Sequence, residues 1–169
     1  MATKTPVGIE EYLRSSFEPD AELVDGEIVE RPMGELPHSY VQGELTFILR
    51  GLAPKLGIQV LIAVRIQTQA RRFRVADLAV FRAGDIGEKI PSVPPFLVVE
   101  ILSPEDRMVR VQAKVQEYLE LGVEYVWLID PDERQAIVYS RQAPAGRVEG
   151  VLRTQNPDIE IELPTVLPA

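Results

Sequence analysis

Asp77 and Glu100 each interrupt an apolar run that reads as a β-strand, RVADLAVF and FLVVEIL. A run of continuous aliphatic residues usually means a strand covered on both faces. A lone ionised carboxylate is costly there unless a cation meets it. Strand alternation puts Asp77 on one face with Phe73, Val75, Ala79 and Phe81. Two such carboxylates near the ends of adjacent strands suggest one shared cation. Oxygen-only ligation suits a hard ion such as Mg²⁺ or Mn²⁺, and Mg²⁺ takes one or two carboxylates and completes its shell with water and phosphate. The structural alternative stays open: Asp77 pairs with an arginine, and Glu100 reaches solvent from the strand end.

Lys114 is the third candidate. Met108, Val111, Val115, Tyr118 and Leu119 form one apolar helical stripe, and Lys114 sits about 80° from its middle, on the flank of the buried face. Arg107, seven residues earlier, shares that flank. Both cations could look toward the sheet edge where Glu100 ends, or Lys114 could pack its stem and keep its head in water.

The rest of the chain must position these groups. Its 169 residues fit a single domain, 1–169. The absence of cysteine removes disulfides, thiolate zinc sites and a cysteine nucleophile, and the single histidine, His38, excludes multi-histidine metal centres. Any metal site must rest on carboxylates. The start, MATKTPVGIEEYL, lacks an apolar signal core, and no apolar run approaches the length of a membrane span, so a cytoplasmic protein without membrane contact is expected. The net charge of −8 argues against a uniformly basic nucleic-acid wrapper. Residues 65–114 nevertheless carry nine bases against six acids and form the only positive stretch apart from the near-neutral 36–64.

Element signals run in order. GIEEYLR predicts a short helix, and AELVDGEIVER predicts a hairpin turning at Asp25 and Gly26. A helix follows from about His38 to Arg50, closed off by Gly51, Pro54 and Gly57, then strands at about 58–66, 72–81 and 96–102. Ser103 as cap, Pro104 at the first position and acids in the first turn predict a helix from there to about Leu121, stopped by Gly122. Strands at about 124–130 and 135–141 and one more in DIEIEL complete an α/β fold, a mixed β-sheet core flanked by helices (αβββαβ-type) with an N-terminal β-hairpin.

VVEILSPEDR, Lys114 four residues before Tyr118, and GVEYVWLIDP together resemble the Uma-two family of the PD-(D/E)XK, restriction-endonuclease-like superfamily. EEYL, ELVDGEIVE, the His38 helix, RVADLAVF and the closing IELP extend the resemblance over nearly the whole chain. It implies that Asp77 is the aspartate of the PD half-motif and Glu100 the acid of the second half. The lysine expected two residues later is replaced by Leu102, and Lys114 on the following helix takes that place; Ala76 stands where the family prefers proline. The implied activity is Mg²⁺- or Mn²⁺-dependent cleavage of DNA. Asp77, Glu100 and the Ile101 carbonyl would hold one or two ions that polarise a phosphodiester, and Lys114 would orient or deprotonate the attacking water. Arg72, Arg74 and Arg107 would position phosphates; read alone, each is equally a solvated surface arginine. Glu44 and His38 are additional candidates, Glu44 being also readable as a solvent-facing glutamate and His38 as a helix-terminus residue. Glu22 and Glu27 match family positions without an assignable role, and Trp127 and Tyr118 read as core. A homodimer fits an enzyme that cuts both strands. The alternatives are an inactive nuclease fold that binds nucleic acid or protein, and a purely structural dimer, which leaves the charges inside apolar strands unexplained.

Overall fold

Asp25 and Gly26 both take positive φ, 53° and 92°, as the tight turn of a two-residue hairpin requires. They join β1 (Ala21–Val24) to β2 (Glu27–Glu30) in antiparallel register, after a short helix α1 (Ile9–Arg14). The computed structural model describes residues 6–18, 20–32, 34–87, 90–91 and 93–169; the first five residues of the N-terminal segment behind the localisation expectation fall outside that set.

Helix α2 (Leu36–Leu56) begins earlier and ends later than the sequence predicts. Pro37 sits in its first turn, where a missing N–H costs nothing. The helix runs through Gly51 and Pro54 because Leu52, Ala53 and Leu56 pack on the core, offsetting the single bond that a proline near the C-terminus forfeits. Gly57, at φ 63°, ends it in the left-handed conformation. Strands β3 (Ile58–Gln69) and β4 (Arg72–Arg82) form a long antiparallel pair, followed by β5 (Leu97–Ile101), helix α3 (Met108–Leu121) and β6 (Tyr125–Asp130). The order α2-β3-β4-β5-α3-β6 is the expected αβββαβ core.

Helix α3 starts at Met108, not near Ser103. The Asp106 carboxylate accepts the Ser103 N–H at 2.7 Å, and the Asp106 N–H returns to the Ser103 carbonyl at 2.9 Å. This side-chain-closed turn outcompetes helix initiation. Its C-terminus at Gly122 is as expected, with φ 113°. The C-terminal part holds more than the single further strand expected after 135–141. Beyond β7 (Gln135–Ser140) come β8 (Gly146–Val148), β9 (Val151–Thr154), β10 (Ile159–Glu162) and helix α4 (Leu163–Val166). Strands β8 and β9 are too short for alternation to announce them.

Strand alternation divides the apolar residues between two cores. Leu78, Val80, Leu97, Val99 and Trp127 pack with Val41, Leu45 and Leu49 of α2, while Ala79, Phe81, Val98 and Val126 pack with Val115 and Tyr118 of α3. Strands β4 and β5 are therefore covered on both faces. The sheet runs β2-β1-β4-β5-β6-β7-β8, with β3 also on β4. Since β3 pairs along the whole of β4, β1 and β5 must share the other edge. β1 takes Arg72 and Phe73, and β5 takes Leu78 to Val80. Residues 74–77 lie at the fork between them.

Among the described residues no helix is long and apolar enough to cross a membrane. Leu45 and Phe47 test the layering. Leu45 is fully buried and Phe47 is 79% exposed, so Leu45→Ala is expected to lower the unfolding free energy by about 2–5 kcal/mol and Phe47→Ala by less than about 0.5 kcal/mol, read from urea midpoints.

Candidate active site

At the fork, the main chain of β4 is completed by side chains instead of a strand. The Val75 N–H donates to Glu22 Oε1 of β1 at 3.1 Å, and the Val75 carbonyl accepts from Lys114 Nζ of α3 at 2.8 Å. Lys114 also meets Glu22 Oε1 and Glu100 Oε2, each at 2.8 Å. Its three N–H bonds thus have three acceptors. Glu100, on β5, receives the Tyr118 hydroxyl on Oε1 at 2.8 Å; Lys114 and Tyr118, four residues apart, share the helix face that covers it.

Asp77 lies on the other side of the same opening. Arg31, just after β2, donates to Oδ1. The Ile101 N–H reaches Oδ2 at 2.8 Å, with His38 Nε2 at 3.3 Å. Gln42, one turn beyond His38 on α2, donates to the Asp77 carbonyl at 3.0 Å. Behind these groups Arg74 forks onto both oxygens of Glu117, at 2.8 and 2.7 Å, and reaches Glu22 at 2.9 Å. Arg72 continues the alternation from Glu117, at 2.8 Å, to Asp25.

The environments push the two central carboxyls apart. Burial works to raise Asp77, but the His38 hydrogen bond and the charges on Arg31 and Lys114 outweigh it and hold the group at about 2. Burial raises Glu100 to about 7, against the pull of Lys114 and with the help of the Asp77 charge. Burial of Lys114 is outweighed by Glu100 and Glu22, which keep it protonated. A carboxylate held ionised beside one poised near neutrality is an arrangement that enzymes use for acid–base and metal chemistry.

A cavity of about 160 Å³ opens here, with Glu22, Arg31, His38, Asp77, Glu100 and Lys114 in its wall. Ile101, Arg74 and Arg107 line it as well. Of the polar residues singled out from sequence, Glu27, Glu44 and Arg72 do not line it, Glu27 being exposed on β2. Glu44 sits on α2 away from the opening, and Arg72 is tied to Asp25 and Glu117. Arg74 does line it, but as a buried group engaged by carboxylates and not as a solvated cation. Tyr118 is core, as expected, and in addition a donor to Glu100.

The sequence reading missed Arg31, Glu117 and the part played by Glu22. Glu117 could have been found, because it lies three residues after Lys114 on the same flank of α3. Arg31 left no signal, lying in a stretch without periodicity.

The model of the Uma2 family, described as "Putative restriction endonuclease", matches residues 9–168. No curated protein matches. Among solved structures, the chain is similar to a putative nuclease belonging to DUF820 from Anabaena variabilis, at 24% identity and a TM-score of 0.84, covering 95% of this chain and 97% of that one. That likeness establishes the fold. The DrdV–DNA complex matches at 16% identity and a TM-score of 0.46, over 68% of this chain and 10% of that one.

Glu100 gives the metal-free protein a pH dependence. Its folded value, about 7, lies above the ordinary 4.5, so its contribution to stability is complete below pH 4.5 and is lost as pH rises through about 7. In EDTA the melting temperature is therefore expected to fall between pH 5 and pH 8, and Glu100→Gln is expected to flatten that fall. A wild-type profile that rises over this interval rules the assignment out.

Proposed function

The chain belongs to the Uma2 family, and on that footing we propose that it is a divalent-metal-dependent endonuclease acting on DNA. The observation that carries this reading is the pairing of two buried carboxylates from adjacent strands, Asp77 and Glu100, with the Lys114 ammonium on one solvent-reaching cavity. Among the described residues no group of three or more Asp, Glu, His or Cys side chains is placed to enclose an ion by itself. A two-carboxylate set that leaves the remaining positions to water and phosphate is the usual Mg²⁺ arrangement in phosphate chemistry, and the oxygen-only donors fit Mg²⁺ or Mn²⁺. When bound, the cation supplies Lewis-acid polarisation of the phosphodiester.

The chain's own groups do the rest. Asp77 and Glu100, with the Ile101 carbonyl, offer the oxygen donors. The His38 and Ile101 N–H groups fix the Asp77 carboxylate in place. Lys114, held on the Val75 carbonyl, places a positive charge where negative charge builds up on the phosphorus oxygens. Arg107 and Arg110, exposed at the mouth of the cavity, suit contacts to flanking phosphates that carry no sequence preference.

A second reading has its own support. All three Lys114 N–H bonds are already satisfied, so the cluster also makes sense as the scaffold of an inactive, nucleic-acid-binding nuclease fold. Plasmid DNA incubated with Mg²⁺ or Mn²⁺ separates the two. Under the nuclease reading the wild type nicks or linearises it, and Asp77→Asn, Glu100→Gln and Lys114→Gln, compared at a temperature where circular dichroism shows each variant folded, slow cleavage by ~10²-fold or more. Salt-dependent DNA binding without cleavage in any divalent ion selects the inactive module.

A further inference from the structure

Arg31 differs from the other cations around the cavity. Lys114 has three acceptors, and Arg74 is locked onto Glu117 and Glu22. Arg31 is held by Asp77 Oδ1 alone; among the described residues its side chain makes no other hydrogen bond. It belongs to the irregular segment between β2 and α2. Its side chain is 19% exposed whereas that of Asp77 is 3% exposed, so the guanidinium enters the site from the solvent side.

The charges around Arg31 point the same way. Asp25, Glu22, Asp77, Glu100 and Glu117 meet Arg31, Arg72, Arg74 and Lys114 in the site and the ion-pair chain behind it. Counted with Glu100 in the ionised form that pairs with Lys114, five carboxylates face four cations, and withdrawing Arg31 leaves two uncompensated charges, as many as one divalent ion carries. Arg31 therefore stands on the carboxylate that such an ion needs, and among the cations paired with these carboxylates it has the fewest ties to break.

We propose that Arg31 is an exchangeable counter-cation: it neutralises Asp77 in the metal-free site and passes to a backbone phosphate of bound DNA when a divalent ion takes Asp77. A guanidinium suits both partners, since its planar fork matches carboxylate and phosphate alike. The exchange keeps Asp77 neutralised throughout and gives the phosphate a donor only once the ion is present. The inference rests on the metal-dependent reading above and names a positioning residue for that same site.

Two binding measurements test it without reading cleavage. In calorimetric titrations with Mn²⁺ alone, Arg31→Ala is expected to bind the ion several-fold more tightly than the wild type, because no guanidinium competes for Asp77. Unchanged or weaker binding overturns the proposal. On a short DNA duplex, Arg31→Ala is expected to lose roughly tenfold in affinity with Ca²⁺ present, to lower the salt slope by about one, and to match the wild type in EDTA, where Arg31 stays on Asp77. Equal losses in both buffers overturn it as well. Arg31→Gln repeats both arms in case Ala disturbs folding. Arg31→Lys, which keeps the charge, is expected to bind Mn²⁺ like the wild type, and tightening there also counts against the exchange. A protein that never cuts DNA can still pass these tests, and one that cuts can still fail them.

Discussion

One ammonium group holds the centre of this molecule together. Lys114 stands where a strand is missing beside β4 and bonds a main-chain carbonyl and two buried carboxylates at once. Without it, Glu22 would keep Arg74 but Glu100 would lose its direct ion pair. Breaking a buried ion pair from one side commonly costs 3–5 kcal/mol, roughly the scale on which a whole domain's stability is set. The sheet can fork because a side chain supplies the hydrogen bonds that β-strand pairing would otherwise give. The fork in turn is what lets two carboxylates from neighbouring strands face an opening instead of a packed core.

The ion pairs behind Lys114 extend this constraint. From Glu100 the signs alternate through Lys114, Glu22, Arg74, Glu117 and Arg72 to Asp25 at the hairpin turn. Such a chain gives little net stability compared with apolar packing, because every member has been taken out of water. Its use is geometric. Each charge is located by its neighbours from different elements, so the carboxylates at the inner end cannot change rotamer independently. A site that must present oxygen atoms at fixed separations gains from this rigidity.

Much of this could be read from sequence wherever one residue broke a local rule. Asp77 and Glu100 were visible because charge inside a two-sided apolar strand is costly, and Lys114 because it sits on the flank of a helical stripe. Asp25 and Gly26 announced their turn by backbone chemistry alone. The fork itself was not visible, since it depends on which strands share an edge of β4, a property of topology and not of any segment. Arg31 went unnoticed for the same reason, its partner being distant and its own segment breaking no local pattern, while Glu117 was within reach of the helical argument that found Lys114. The start of α3 was misplaced because Ser103 and Asp106 fit a helix cap and a closed turn equally well, and only the folded geometry selects between them.

The site is assembled from segments far apart along the chain. Glu22 and Arg74 are 52 residues apart, and Arg74 and Glu117 another 43. Contacts of such separation pay their loop-closure cost before they return any stabilisation, which places them late in folding. During synthesis the hairpin and β4 emerge well before α3, so Glu22 and Asp77 remain hydrated until the helix that bears Lys114 arrives. A nascent or truncated chain lacking α3 thus has the carboxylates but not the cation that unites them, and the cluster closes only in a chain made through its third helix.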